Sequence, residues 1–125
     1  MIEERLLEPL FFNPILLSHL RLIRGGDMAD FCITAVRYNQ DRSHIEFVLV
    51  REEMTITNQL GTHRAVPRAF VADLIRLGKA TFQTRIKTSE GKWRLGAQVH
   101  LIEDVYLTTD KNSTERDNLE NLPEF

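Results

Sequence analysis

Residues 65–78 read A-V-P-R-A-F-V-A-D-L-I-R-L-G, and the fold turns on this stretch. Pro67 suits a first helical position, because its φ is already helical and the N–H it lacks would go unpaired there. Val66, Phe70, Leu74 and Leu77 recur at helical spacing with Val71 and Ile75 beside them, which makes one wide apolar stripe. Gly78 can take the left-handed conformation that closes a helix. The segments on either side alternate at the period of strands, so the helix is expected to lie as a lid on one face of a sheet.

Upstream, F-C-I-T-A-V-R-Y at residues 31–38 and H-I-E-F-V-L-V at residues 44–50 are strand-like, joined by the turn residues N-Q-D-R-S. A five-residue loop would set Ala35 against Phe47 and Ile33 against Leu49 in an antiparallel pair. Residues 51–64 show little periodicity and read as a strand end and a loop. Downstream, residues 80–88 place Ala80, Phe82 and Ile86 inward and Gln83, Arg85 and Lys87 outward. A two-residue turn at Glu90-Gly91 would pair Ile86 with Leu95, Phe82 with Val99, and Lys87 with Arg94. Residues 105–109 supply a short last strand. The expected fold is α+β: a small antiparallel sheet in the order ββαββ, with a fifth strand available, covered by one helix.

Ahead of this domain, Asn13 and Pro14 form an N-cap and first turn for a further helix over residues 15–24, ended by Gly25-Gly26. The expected organisation is therefore a helical extension over 1–28 and a single α+β domain over 29–125. Leu16, Leu20 and Ile23 share one stripe of the extension, a candidate surface for packing or self-association. A second reading takes Arg24-Gly25-Gly26-Asp27 as a translated ribosome-binding site, with Met28 as the start.

A chain of 125 residues with 42% hydrophobic and 27% charged residues has the length and composition of one globular domain. The net charge of −2 gives no global pull toward nucleic acid or acidic lipid. The single cysteine, Cys32, excludes an internal disulfide. The opening Met-Ile-Glu-Glu-Arg has the wrong charge for a secretory signal, so none is expected, and the apolar run near Leu10–Leu17, broken at Asn13-Pro14, is too short to span a bilayer. A cytoplasmic location without membrane contact is expected.

The carboxyl end carries a resemblance. Val105-Tyr106-Leu107-Thr108-Thr109, then Asp117-Asn118-Leu119, then Leu122-Pro123 resembles the close of the bacterial family known as domain of unknown function 3892. That family's members have two strands, a helix written V-I-x-x-I-x-x-G, a hairpin, and a final Y-L-x-T followed by D-N-L-x-x-L-P. Val71, Ile75 and Gly78 match the helix, and Ile33-Thr34-Ala35-Val36 the opening strand. The likeness runs from about Ala29 to Pro123. Glu124-Phe125 stands where members often end in a cysteine. The resemblance implies a fold and a bacterial, phage or mobile-element setting, and no activity. On the residues themselves, Tyr106, Leu107, Thr109, Asp117, Asn118, Leu119, Leu122 and Pro123 read as a clasp: Asp117 and Asn118 fix a local turn, and Leu119 and Leu122 dock beside the helix. The alternative is a docking peptide for a partner.

Little in the chain points to catalysis. His19, His44, His63 and His100 have no ligand partner at zinc-site spacing. Cys32 reads as a small buried hydrophobe, with His100 its nearest candidate base. Asp110–Thr114 begins like a calcium loop but has Glu115 where the turn needs glycine and Asn121 where it needs glutamate. No catalytic, cofactor or metal site is expected.

Charge is segregated. Residues 65–102 hold seven basic and two acidic residues, net +5, and residues 103–125 hold two basic and seven acidic, net −5. Arg85, Lys87 and Arg94 are the candidate anion or nucleic-acid patch, because like charges opposed across a hairpin call for an anion nearby. Neutralisation by the acidic tail is the competing and preferred expectation. The function expected is a non-enzymatic interaction or adaptor domain that binds a protein partner or itself. The alternatives are a nucleic-acid-binding accessory protein or a phage-borne inhibitor of a host defence system.

Overall fold

The computed structural model describes residues 28–109, 117–119 and 122–125. The expected helical extension over 1–28, with Leu16, Leu20 and Ile23, falls outside the described residues apart from Met28. Within them the fold is α+β, a mixed sheet with one short helix. The elements are β1 (Phe31–Tyr38), β2 (Ile45–Met54), β3 (Gln59–Leu60), β4 (Arg64–Pro67), α1 (Arg68–Arg76), β5 (Phe82–Lys87), β6 (Trp93–Gln98), β7 (His100–Ile102) and β8 (Tyr106–Thr108).

The main sheet runs β3-β2-β1-β5-β6, with β4 pairing β2 beside β3. It is not wholly antiparallel, as the sequence suggested, because β1 and β5 run parallel. The reason is β4, a strand hidden in the stretch read as loop. β4 is antiparallel to β2, as β1 is, so β4, β1 and β5 share one direction. The passage β4–α1–β5 is thus a crossover that carries the chain over β2 and β1, the kind of connection parallel strands require.

α1 begins one residue later than the sequence implies: Pro67 has φ −58° and ψ 136°, ending β4 and capping the helix. The close follows expectation. Gly78 has φ +68°, its N–H donates to the Ile75 carbonyl at 3.0 Å, and the Lys79 N–H donates to Leu74 at 2.9 Å. These paired bonds satisfy the last carbonyls of the helix as a Schellman motif. Val71 and Ala72 are buried, and Leu74 and Ile75 pack on the core, whereas Phe70 and Leu77 are exposed.

Registers differ from those inferred. Ala35 opposes Leu49 and Ile33 opposes Val50, with an irregularity between Ile33 and Ala35. The Asn39 N–H donates to the His44 carbonyl at 3.0 Å, so four residues, 40–43, lie between the closing pair rather than five. Tyr38 then faces Ile45, and an irregularity between Arg37 and Tyr38 adds a second step to the slip. In the second hairpin the Thr88 N–H bonds the Lys92 carbonyl at 2.7 Å and the Gly91 N–H the Thr88 carbonyl at 2.9 Å. This is a three-residue loop with Gly91 at φ +80°, the form in which a left-handed residue completes the turn. One extra loop residue slips the register by one, so Ile86 faces Arg94 and Lys87 faces Trp93. An irregularity at Thr84 restores the expected match further on, where the Val99 N–H donates to Phe82 at 2.9 Å.

The core lies between α1 and the sheet. Ile33, Ile45, Val48, Val71, Phe82 and Leu107 are fully buried, joined by Leu119 and Leu122 from the tail. β7 and β8 form a separate two-stranded ribbon.

Candidate functional site

The tail is built into the core. Asp117 does not make the local turn expected of it. Its Oδ2 accepts the Ile45 N–H at 2.7 Å and its Oδ1 the Leu107 N–H at 2.9 Å, joining the start of β2 to β8. Burial pushes its carboxyl above the usual range, against the lowering pull of those two amides. Arg68 completes the node: its Nε donates to the Ile45 carbonyl at 3.1 Å, and its guanidinium lies 5.5 Å from the Tyr106 ring. Asn118 bonds Leu107 and Thr109 through its backbone, and the Val36 N–H donates to the Pro123 carbonyl at 2.9 Å. Arg42 forms a two-point ion pair with Glu124 at 3.0 and 2.8 Å. Arg37 lies 4.4 Å from the Phe125 ring.

The expected cationic patch is divided. The slipped register puts Arg94 with Ile86 on one face and Arg85 with Lys87 on the other, because cross-strand partners share a face and side chains alternate. Lys87 and Arg94 therefore do not oppose each other. Arg85 is bound to Glu53, Nε to Oε2 at 2.6 Å and Nη2 to Oε1 at 3.1 Å, and Gln83 donates to the same Oε2 at 2.7 Å. Gln83 and Glu53 are both buried. The anion demanded by the hairpin thus comes from β2, and the described tail acids are spent elsewhere: Asp117 on Ile45 and Leu107, Glu124 on Arg42. Cys32, fully buried, lies in this cluster; burial, reinforced by the Glu53 carboxylate, pushes its thiol up to about 12. His100 is not among the groups acting on it. Among the described residues no group of three His, Cys, Asp or Glu is placed to hold a metal ion, and no helix is long and apolar enough to cross a membrane.

A concavity beside α1 was not anticipated. Between α1 and the sheet edge lies a mainly apolar cleft of about 400 Å³. Phe31 and Phe82, stacked with centroids 5.4 Å apart, contribute its floor together with Val50. Val71, Leu74 and Phe70 of α1 form one wall; Met54, Gly61, Thr62 and Arg64 lie opposite. Phe70 is 54% exposed and Met54 36%. The sequence did contain a signal: the apolar arc of α1 is wider than one contact with the sheet can cover, so one flank of it had to remain outside.

No curated protein and no solved structure matches the chain. The family described as protein of unknown function (DUF3892) does match, over residues 32–123. That span runs from the first buried residue of β1 to the proline that bonds Val36, taking in α1, the sheet but for Phe31, and the tail but for Glu124 and Phe125. The chain belongs to this family.

Proposed function

We propose that the protein is a non-enzymatic interaction domain of the cytoplasm that takes an apolar segment of a partner protein into the cleft between α1 and the sheet. One observation carries this reading: a mostly apolar cleft of about 400 Å³ with a large aromatic side chain, Phe70, standing exposed at its rim. Ligand clefts of about 300–1,000 Å³ share this apolar lining with a few polar groups at the edge. Glu52 and Arg64 are those polar groups here. They suit a peptide whose apolar anchor is flanked by one basic and one acidic residue.

Peptides of that pattern, displayed as a library against the full chain, provide the test. Selected peptides should bind the parent and lose at least about tenfold in affinity against Phe70→Asp, since the substitution removes a large aromatic contact and sets a charge beside the apolar cleft. Phe70 is largely exposed, so the variant should keep its thermal midpoint. Equal binding by parent and variant would overturn the proposal. Self-association through Leu16, Leu20 and Ile23 is a separate reading of the same class. Light scattering on the full chain and on Leu16→Glu/Leu20→Glu tests it, and a monomer in both removes it.

A further inference from the structure

The sheet face opposite α1 holds a second concavity, of about 590 Å³, bordered by Arg51, Glu53, Arg85, Lys92 and Trp93. We propose that it binds a phosphate group, with Arg51 and Lys92 as its cationic donors and Lys87 at its margin.

The argument starts from Glu53. Its two oxygens already accept from Gln83 and, twice, from Arg85, so this carboxylate is committed and Arg85 is neutralised. Two cations remain at one indole ring, and a third, Lys92, lines the same concavity. The Arg51 guanidinium lies 5.2 Å from the Trp93 ring centre and the Lys87 ammonium 5.5 Å, while Lys92 sits one residue before Trp93 in the chain. Among the described residues none of the three forms an ion pair with a carboxylate.

Arg51 is also the best fixed. Its Nη1 donates to the Gly61 carbonyl at 2.9 Å, and its Nη2 lies 3.3 Å from His63 Nδ1. Its Nε is buried with no hydrogen-bond partner. A guanidinium held in place by a carbonyl and an aromatic ring loses little freedom when it takes up an anion. Gathered like charges repel, and the low-dielectric wall of a concavity strengthens both that repulsion and the attraction of an anion that relieves it. Phosphate fits better than a single carboxylate because it carries nearly two charges and several acceptor oxygens to share among three cations.

Trp93 is the only tryptophan, so its fluorescence reports the site directly. The full chain would be titrated with inorganic phosphate, ribose 5-phosphate and a ten-nucleotide oligothymidylate, against sodium chloride of matched ionic strength. A saturable change with a phosphate-bearing probe, and none with chloride, is expected. Lys87→Ala/Lys92→Ala should weaken it by about tenfold or more, since charge-assisted bonds are lost, while both exposed substitutions leave the thermal midpoint in place. Saturation by inorganic phosphate or the sugar phosphate assigns a free phosphate or small phosphate ester; saturation by the oligonucleotide alone assigns a nucleic-acid backbone. No saturable response to any probe, an equal response to chloride, or an unchanged response in the double variant would each overturn the proposal. The Phe70→Asp chain, altered only on the other face, should respond as the parent does.

Discussion

Arg85 and Glu53, thirty-two residues apart, meet in a two-point ion pair of 2.6 and 3.1 Å with side chains only 15% and 4% exposed. The pair spans from β5 across β1 to β2, so it ties together three strands on the face that α1 does not cover. Its net contribution to stability is small if both charges are removed, because burying two ions costs nearly what their attraction returns. Removing one partner is different. Glu53→Met should destabilise the fold by about 3–5 kcal/mol, leaving Arg85 buried without its acid. Glu53→Met/Arg85→Met should cost less than Glu53→Met alone. Urea denaturation of the three proteins decides it, and a double variant worse than the single one would contradict the account.

Asp117 gives a prediction with a definite sign in pH. Its folded pKa is raised by burial, with the Leu107 and Ile45 amides and the charges of Arg68 and His44 opposing. The folded state therefore holds this proton more tightly than the unfolded chain does. That contribution is fully present below the ordinary carboxyl value of about 3.9 and is lost as pH rises through the raised folded value. Asp117→Asn should flatten this part of the stability profile. Asp117→Ala leaves two amides without acceptors, at about 1–3 kcal/mol each. Denaturation midpoints followed from pH 4 upward, about where the window opens, would show both effects.

Leu119 and Leu122, 4% and 8% exposed, should behave as core. Each replacement by alanine is expected to cost about 2–5 kcal/mol. Unchanged thermal midpoints would mean that the tail contributes nothing to the fold, against its place in the hydrophobic cluster.

Much of this architecture was legible because it is local. The helix stop at Gly78, the strand at Phe31–Tyr38 and the alternation of Phe82 and Ile86 depend on neighbours a few residues away. What escaped the sequence was either a matter of one residue or a matter of distance. Gly91 advertises a turn equally well with two loop residues or three, and only the structure shows Thr88 paired with Lys92; that single residue parts Lys87 from Arg94. β4 is four residues, R-A-V-P, too short for a period to show, yet it sets the direction of β5. The Glu53 partnership with Arg85, and the reach of Asp117 to Ile45 over 72 residues, follow from topology. Charge counting found the need for an anion near Arg85 and misplaced its source.

Two glycines should respond differently to alanine. At Gly78 nothing lies within 4 Å of an added Cβ, so the cost is that of a left-handed backbone alone, about 1–2 kcal/mol. At Gly96 the Cβ would stand 2.1 Å from Thr84 Oγ1 and 3.0 Å from the Thr84 carbonyl oxygen. That hydroxyl is held by the Ala97 N–H at 3.0 Å and is not free to swing away. Gly96→Ala should therefore destabilise more than Gly78→Ala. Adding Thr84→Ala should recover only part of the loss, because the carbonyl stays in place. Equal costs in chemical denaturation would refute the steric reading.

Cys32 yields the last prediction, and it bears on whether this thiol does chemistry. A nucleophilic cysteine is exposed and held as thiolate by a neighbouring cation or base. Cys32 has no exposed surface, and burial, helped by the Glu53 carboxylate, sets its thiol at about 12. Arg85 and Arg51 pull the other way, and the Arg85 charge is already taken by Glu53. Two barriers therefore stand between reagent and sulfur: the side chain must open to solvent, and it must lose a proton that its surroundings retain. In native buffer at pH 8 the thiol should resist a disulfide exchange reagent, and it should react at once in urea. Raising the pH by one unit should speed native labelling only as far as it raises the thiolate fraction of the opened form. Glu53→Met, which removes the carboxylate and loosens the strands around it, should label faster than the parent. Prompt stoichiometric labelling of the folded parent chain would show instead an accessible, activated cysteine and contradict this account of Cys32.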